Sequence, residues 1–400
     1  MVVPGLHIRP GHPDFLDLPW QHPIGEWKAG RLVDMPTGVH RHPIVFAAYD
    51  EAIYAIKELS AELADHEFET LRALEGRTAH SATPAGLVKR PWLDPTEEGA
   101  GVVITRYVDY AFPYRELISG GSFGVRRDQM LDAFAGLLVE LHLAGCFWGD
   151  CSLSNVLYRF DAGAIETIMV DAETSSLYDS ISDGRRREDL EIMQENLAGG
   201  MADIAAAAGR GLDQADLEIG IDIANRYEGL WEELNDDFVI APSERYLIRR
   251  RIERLNELGF AVDDIDVVPD GTDNRVRISV KVGGRAFHAN RLRELTGIDA
   301  SENQARHILS DLARHEARHG RSDSQTGRTV TIMGWRADRF EPFTRRISEL
   351  LPGFNPVQGY SDFLNFRYQR SIEAGHDVES EATFDTWLDA GMPGFEPSDG

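Results

Sequence analysis

Four short stretches of this 400-residue chain carry side chains whose types and order suit chemistry on a phosphate. Tyr54-Ala55-Ile56-Lys57 is an apolar run ending in a lysine. Glu67 follows ten residues later, in a segment that Ser60 would cap as a helix, with Leu71 and Leu74 on its face at i+4 and i+7. Asp150 and Asn155 stand five apart in the stretch that begins at His142. Ile168-Met169-Val170-Asp171 is a second apolar run, ending in a carboxylate, with Glu173 close behind. Phosphoryl transfer is mainly positioning and charge neutralisation. It needs a cation on the phosphates, oxygen ligands for a hard metal ion and a carboxylate near the attacking hydroxyl. Lysine is scarce here. It occurs only at Lys28, Lys57, Lys89 and Lys281 among 41 Lys and Arg residues, so a lysine at a strand end is informative.

These residues need elements to hold them. β-branched and aromatic residues predict strands at 44–46 and 52–56, with Tyr49-Asp50-Glu51 as the turn between them. Apolar periodicity predicts a helix from Ser60 to Leu74, and two further strands are expected at 86–90 and 101–110. A helix at 126–143 shows the stripe Met130, Phe134, Leu137, Leu138 and Leu141. Strands at 156–160 and 165–171 flank a turn at Asp161-Ala162-Gly163, and helical patterns run from about 186 to 234. Beyond 237 the pattern changes. Ser243 should cap a helix that Gly259 ends, 275–282 alternates as a strand, and Ser301 with Gln304 reads as a capping box for a helix to His319.

In this order and on these elements, roughly residues 30–230 resemble the protein-kinase-like superfamily. Within it the chain looks like the atypical bacterial branch of lipopolysaccharide (Kdo/heptose) kinases, with kin among aminoglycoside and choline kinases. The resemblance implies an α+β protein with a β-rich N-lobe and a helical C-lobe, using ATP and Mg²⁺. It places Lys57 on the α- and β-phosphates, and Glu67 as the carboxylate that holds Lys57. Adenine would meet backbone near Arg106 and Val108. Asp150 would orient the acceptor hydroxyl or take its proton, and Asn155 and Asp171 would hold the metal. Asp189 would brace the catalytic-loop backbone. The remainder resembles an uncharacterised bacterial C-terminal domain, on Arg254-Leu255-Asn256-Glu257-Leu258-Gly259-Phe260 and Leu295-Thr296-Gly297-Ile298. The expected organisation is an N-terminal extension (1–30), an N-lobe (31–120), a C-lobe (121–236) and a smaller α+β domain (237–400).

The departures are informative. No Gly-x-Gly-x-x-Gly loop precedes Lys57; Thr37-Gly38 marks the turn, with His40, Arg41 and His42 nearby. Trp148-Gly149 replaces His-Arg and Ala172-Glu173 replaces Phe-Gly. These changes favour a small-molecule or sugar hydroxyl as acceptor over a protein. A nucleotide-gated pseudokinase is the alternative, and AMP transfer a lesser one.

The net charge of −26 argues against nucleic acid as a partner. No run approaches the ~20 apolar residues of a membrane span, and no signal peptide is expected. Two cysteines, Cys146 and Cys151, make no disulfide framework, and a reducing cytoplasm fits best. The arginine-rich helix from Arg245 to Arg254 reads as a solvated face, with a protein partner for the C-terminal domain as the remaining expectation. His315-Glu316-Ala317-Arg318-His319 matches a zinc-peptidase motif, but its histidines continue the apolar stripe Ala305, Ile308, Leu312, and no zinc site is assigned.

Overall fold

A computed structural model describes residues 4–35, 41–50, 52–77, 80–114, 126–271, 275–319 and 324–395. Thr37, Gly38, His40 and Glu51 lie outside them. The chain divides into two compact units, residues 1–158 with 167–233, and residues 159–166 with 234–400.

The first unit begins with an antiparallel sheet. Its strands are β1 (Gly5–Ile8), β2 (Leu32–Val33), β3 (Ile44–Tyr49), β4 (Ala52–Leu59), β5 (Thr83–Lys89) and β6 (Gly101–Arg106), in the order β1-β5-β6-β4-β3-β2. The alternation of β4 divides its side chains between two faces. Tyr54 and Ile56 join a core with Phe15, Trp20, Ile24 and Trp27, and Ala55 and Lys57 are left for the other face. The N-terminal residues, expected only as an extension, therefore supply an edge strand and half of that core. Strand β6 stops at Arg106 and not at 110. The Tyr107 N–H makes the last bond to β4, donating to Ile53 O at 2.8 Å, and Tyr110 takes φ 61° in a turn.

Helix α1 (Ala61–Gly76) is capped as expected, Ser60 Oγ accepting from the Leu63 N–H. Ala64 and Phe68 pack on Leu59, Leu87 and Val103 of the sheet. The approach is close. A Cβ on Gly101 would stand 2.5 Å from the Ala64 methyl, so that strand position admits only glycine. The contact fixes the height of α1 over the sheet, and with it the height of Glu67.

The rest of the unit is mainly helical. Its elements are β7 (Phe112–Pro113), α2 (Arg127–Leu143), β8 (Cys146–Phe147), a 3₁₀ turn (Leu153–Asn155), β9 (Val156–Asp161), β10 (Ala164–Met169), β11 (Ser176–Leu177), α3 (Asp183–Ala207) and α4 (Gln214–Asn235). Helix α2 is buried along its expected stripe and beyond it, and serves as a central post of the helical part.

The second unit holds a three-stranded sheet, β12 (Phe238–Ile240), β13 (Phe260–Pro269) and β14 (Val276–Arg285), in the order β12-β14-β13. Among the described residues seven α-helices accompany it. They are α5 (Tyr246–Glu257), α6 (Phe287–Thr296), α7 (Glu302–His319), α8 (Gln325–Trp335), α9 (Glu341–Leu350), α10 (Pro356–Ala374) and α11 (Ser380–Asp389). An aromatic core of Trp335, Phe343, Tyr360, Phe363, Phe384 and Trp387 binds the last of these together.

Two expectations fail here. Ser243 caps nothing; it lies in a 3₁₀ turn (Pro242–Glu244), and α5 starts only at Tyr246. The expected capping box on α7 is half made, with Gln304 Oε1 accepting from the Ser301 N–H at 3.3 Å. The cap itself is Asp161, from the turn between β9 and β10. Its two carboxylate oxygens accept from the Asn303 and Gln304 N–H groups at 3.0 and 2.8 Å, while the Ser301 hydroxyl donates to Glu166. A carboxylate at a helix N-terminus satisfies orphan donors and meets the positive end of the dipole. Among the described residues no helix is long and apolar enough to cross a membrane.

Candidate active site

In the first unit a cleft lies between the sheet and the helical part. Ile44, Phe46, Ala55 and Val103 line it from the sheet, and Val156 and Leu157 from β9. Those apolar surfaces suit a flat ring. Arg106, Tyr107 and Val108 form one end, where the strand-to-turn switch was met. Two backbone groups there are already engaged: the Tyr107 N–H on Ile53 O, and Val108 O, which accepts from the Ala111 N–H at 3.2 Å. The Arg106 side chain turns outward to pair with Asp109.

Lys57, Glu67, Asn155 and Asp171 also line the cleft. The register of β4, the height of α1 and the end of β10 bring three of them together. Lys57 Nζ stands 3.2 Å from Glu67, 2.9 Å from Asp171 and 3.1 Å from Glu173. Burial pulls the ammonium down, but Glu67 and then Asp171 outweigh it, and the Lys57 pKa lies above the ordinary lysine value. Burial also pushes Glu67 up to about 7; Lys57 opposes this and Asp171 adds to it. Three carboxylates share one ammonium, so the cluster carries a surplus of negative charge. Among the described residues Glu67, Asp171 and Glu173 are the set whose ligand atoms converge as a metal ion requires. His42 reaches this group too, with its ring nitrogens 3.2 Å from Glu173 and 2.7 Å from Glu98.

Asp150 and Asn155 sit on the loop between β8 and β9. Asn155 Nδ2 donates to Asp150 O and Oδ2, both at 3.0 Å. The amide nitrogen is thus spent on the loop, and its carbonyl oxygen is directed away from those acceptors. Asp189, at the second turn of α3 and fully buried, braces the loop as expected. It accepts from the Trp148 and Gly149 N–H groups at 2.7 and 2.8 Å, and pairs with His142 at 3.1 Å.

The departures in this loop have physical reasons. Gly149 has φ 78°, and a Cβ there would lie 3.0 Å from Thr174 O, so a side chain at this position would be strained and crowded. Trp148 is buried against Phe134, and its indole N–H donates to the Asp171 backbone O at 3.1 Å, tying the loop to the chain that carries Asp171. Burial first, then Asp189, pushes Cys146 up to about 12 and Cys151 well above its ordinary value. Both are free thiols with no reactive character.

Sequence reasoning missed Asn196, which donates from α3 to Asp150 Oδ1 at 2.8 Å. The only signal was weak: an amide in mid-helix, where asparagine has little intrinsic reason to be. In the zinc-type motif, Glu316 pairs with Arg328 at 3.0 Å, and the His319 side chain lies outside the described residues.

Residues 229–392 match the family described as a domain of unknown function (DUF4032). No curated protein matches the chain. Among solved structures, WaaP in complex with acyl carrier protein is similar at 16% identity and a TM-score of 0.34, over 57% of this chain and 88% of that one. The PknI kinase domain of Mycobacterium tuberculosis is similar at 14% identity and a TM-score of 0.29, over 49% and 94%. The first unit is an α+β arrangement of an antiparallel sheet followed by a mainly helical part, with Lys57, Glu67 and the braced loop at the cleft, and it is followed in sequence by the segment that matches the family of unknown function.

Proposed function

We propose that the first unit is an ATP- and Mg²⁺-dependent phosphotransferase acting on a hydroxyl of a small molecule or sugar. The observation that carries this reading is Lys57 held at the cleft by Glu67 and Asp171 together. A lysine needed only for an edge strand would not be buried among three carboxylates.

The residues present fit the nucleotide and the ion. The cleft is lined mainly by apolar side chains with a few charged ones, as small-molecule sites are. Bound ATP would supply the transferable phosphoryl group, and its Mg²⁺ the positive charge that the acidic cluster lacks. Lys57 would hold phosphate oxygens, with Glu67 fixing its position. Asp171 and the free carbonyl of Asn155 would hold the metal, with Glu173 beside them. The backbone around Arg106 and Val108 would border the base. Asp150 would orient the acceptor hydroxyl and accept its proton at a carboxylate oxygen. The catalytic boundaries proposed are 31–236, with 237–400 as a separate domain that offers a surface for a protein partner, in a cytoplasmic enzyme.

Titration with MgATP and a hydrolysis assay, beside Asp171→Ala, tests the reading. Binding and slow turnover in the wild type, with turnover lost in the variant, support it. Binding without turnover in any acceptor mixture favours a nucleotide-gated module, and transfer of labelled AMP favours the reversed nucleotide.

A further inference from the structure

We propose that Asn196 is the positioning residue for Asp150, so that helix α3 sets the angle at which the acceptor hydroxyl is met. The inference rests on the phosphotransferase reading of the site. It begins from the two oxygens of Asp150. Oδ1 accepts from Asn196 Nδ2 at 2.8 Å and Oδ2 from Asn155 Nδ2 at 3.0 Å. Among the described residues no lysine, arginine or histidine pairs with this carboxylate. Two neutral amides therefore hold it from two sides, and they fix its plane without adding a compensating charge.

The two holders differ in kind. Asn155 belongs to the same loop and moves with Asp150. Asn196 belongs to a different element, 46 residues on. It stands seven residues after Asp189, and seven residues make about two helical turns, so both project from one face of α3. That face does two jobs. Asp189 fixes the loop's backbone through the Trp148 and Gly149 N–H groups, and Asn196 fixes the orientation of the carboxylate side chain. Between and beside them Leu190, Met193 and Leu197 are buried and anchor the helix, so the face is rigid. Asparagine is a mediocre helix former, which gives helix stability no reason to place it there. A carboxylate that must meet a hydroxyl within hydrogen-bond reach gains from such a hold, because misplacement by about 1 Å can cost about 10²-fold in rate.

The experiment is a double-mutant cycle on MgATP hydrolysis with water as acceptor. Asn196→Leu keeps the size and removes the donor. Asn196→Asp keeps the shape and sets an acceptor against an acceptor. Both should lower kcat by about 10- to 100-fold, leave MgATP affinity within about twofold, and melt like the wild type. In an Asp150→Ala background neither should lower the residual rate further, because nothing remains to be positioned. An unchanged kcat overturns the proposal, as does an equal loss in the Asp150→Ala background or a loss confined to KM. The parent reading fails separately: wild type and Asp150→Ala would then hydrolyse MgATP at the same rate, and Asn196 would have no reacting group to serve.

Discussion

Two buried ionic clusters, one in each unit, differ in a way that separates architecture from a site. In the second unit Asp311 is 1% exposed and every contact it makes is spent. It accepts from the Trp335 indole and the Tyr360 hydroxyl, both at 2.9 Å, and lies 3.5 Å from Arg367 and 3.9 Å from Arg339. Arg367 in turn reaches Asp377 at 2.6 Å, and Arg318 pairs with Asp377 too, so three cations meet two carboxylates. In the first unit Lys57 faces three carboxylates, and the group borders a cleft. A closed cluster, its carboxylates fully matched by cations and donors, holds helices together. An open one with surplus negative charge is complete only when something positive joins it.

Breaking each cluster should therefore give opposite signatures. Asp171→Ala should reduce MgATP turnover by about 10²–10³-fold with little loss of stability, since it removes one of three crowded carboxylates. Asp311→Ala should destabilise by about 3–5 kcal/mol in denaturant titration, because it leaves the buried Trp335 and Tyr360 donors unpaired and takes one of the two carboxylates from buried Arg367. Its turnover per folded molecule should stay near the wild-type value. Loss of stability in the first variant, or of turnover alone in the second, would erase the contrast.

The pH dependence sharpens it. Glu67 is pushed up to about 7, above its unfolded value, so the native state binds more protons than the unfolded one between about 4.5 and 7. Its contribution to stability is greatest below that window and falls as pH rises through it, by roughly 3 kcal/mol at most. Lys57 is raised as well, so its contribution is intact below its unfolded pKa and is lost only at more alkaline pH. Glu67→Gln should remove the lower slope. Thermal melts at pH 5 and 7 should show the wild type losing more stability between the two than the variant does. Asp161→Ala gives the smallest effect, about 1–2 kcal/mol from the loss of the α7 cap, read by denaturant titration.

How much of this was legible in the sequence follows from the range of each interaction. Lys57 and Glu67 were readable because a strand end and the next helix face stand ten residues apart. Asp150 with Asn155, and Asp189 as a brace, were readable from a loop between strong apolar patterns. Asp161 as the cap of α7 was not, because its partners Asn303 and Gln304 lie 142 and 143 residues on. Local chemistry pointed to Ser301 instead, which tertiary contact diverts to Glu166. Strand β13 was missed because Asp263 and Asp264 and two register shifts break its alternation. Strand β1 is four residues among prolines and histidines, and only its pairing with β5 makes it a strand. Asn196 was hidden by distance along the chain; its partner is fixed only once α3 and the loop are in place.

The most direct test of the central claim is calorimetric binding of MgATP, with hydrolysis measured in parallel, for the wild type, Asp150→Ala and Asp171→Ala. Binding by the wild type with slow turnover, and turnover lost in both variants, is the result expected. Absence of MgATP binding by the folded wild type would contradict the reading of Lys57, Glu67 and Asp171 as a nucleotide site.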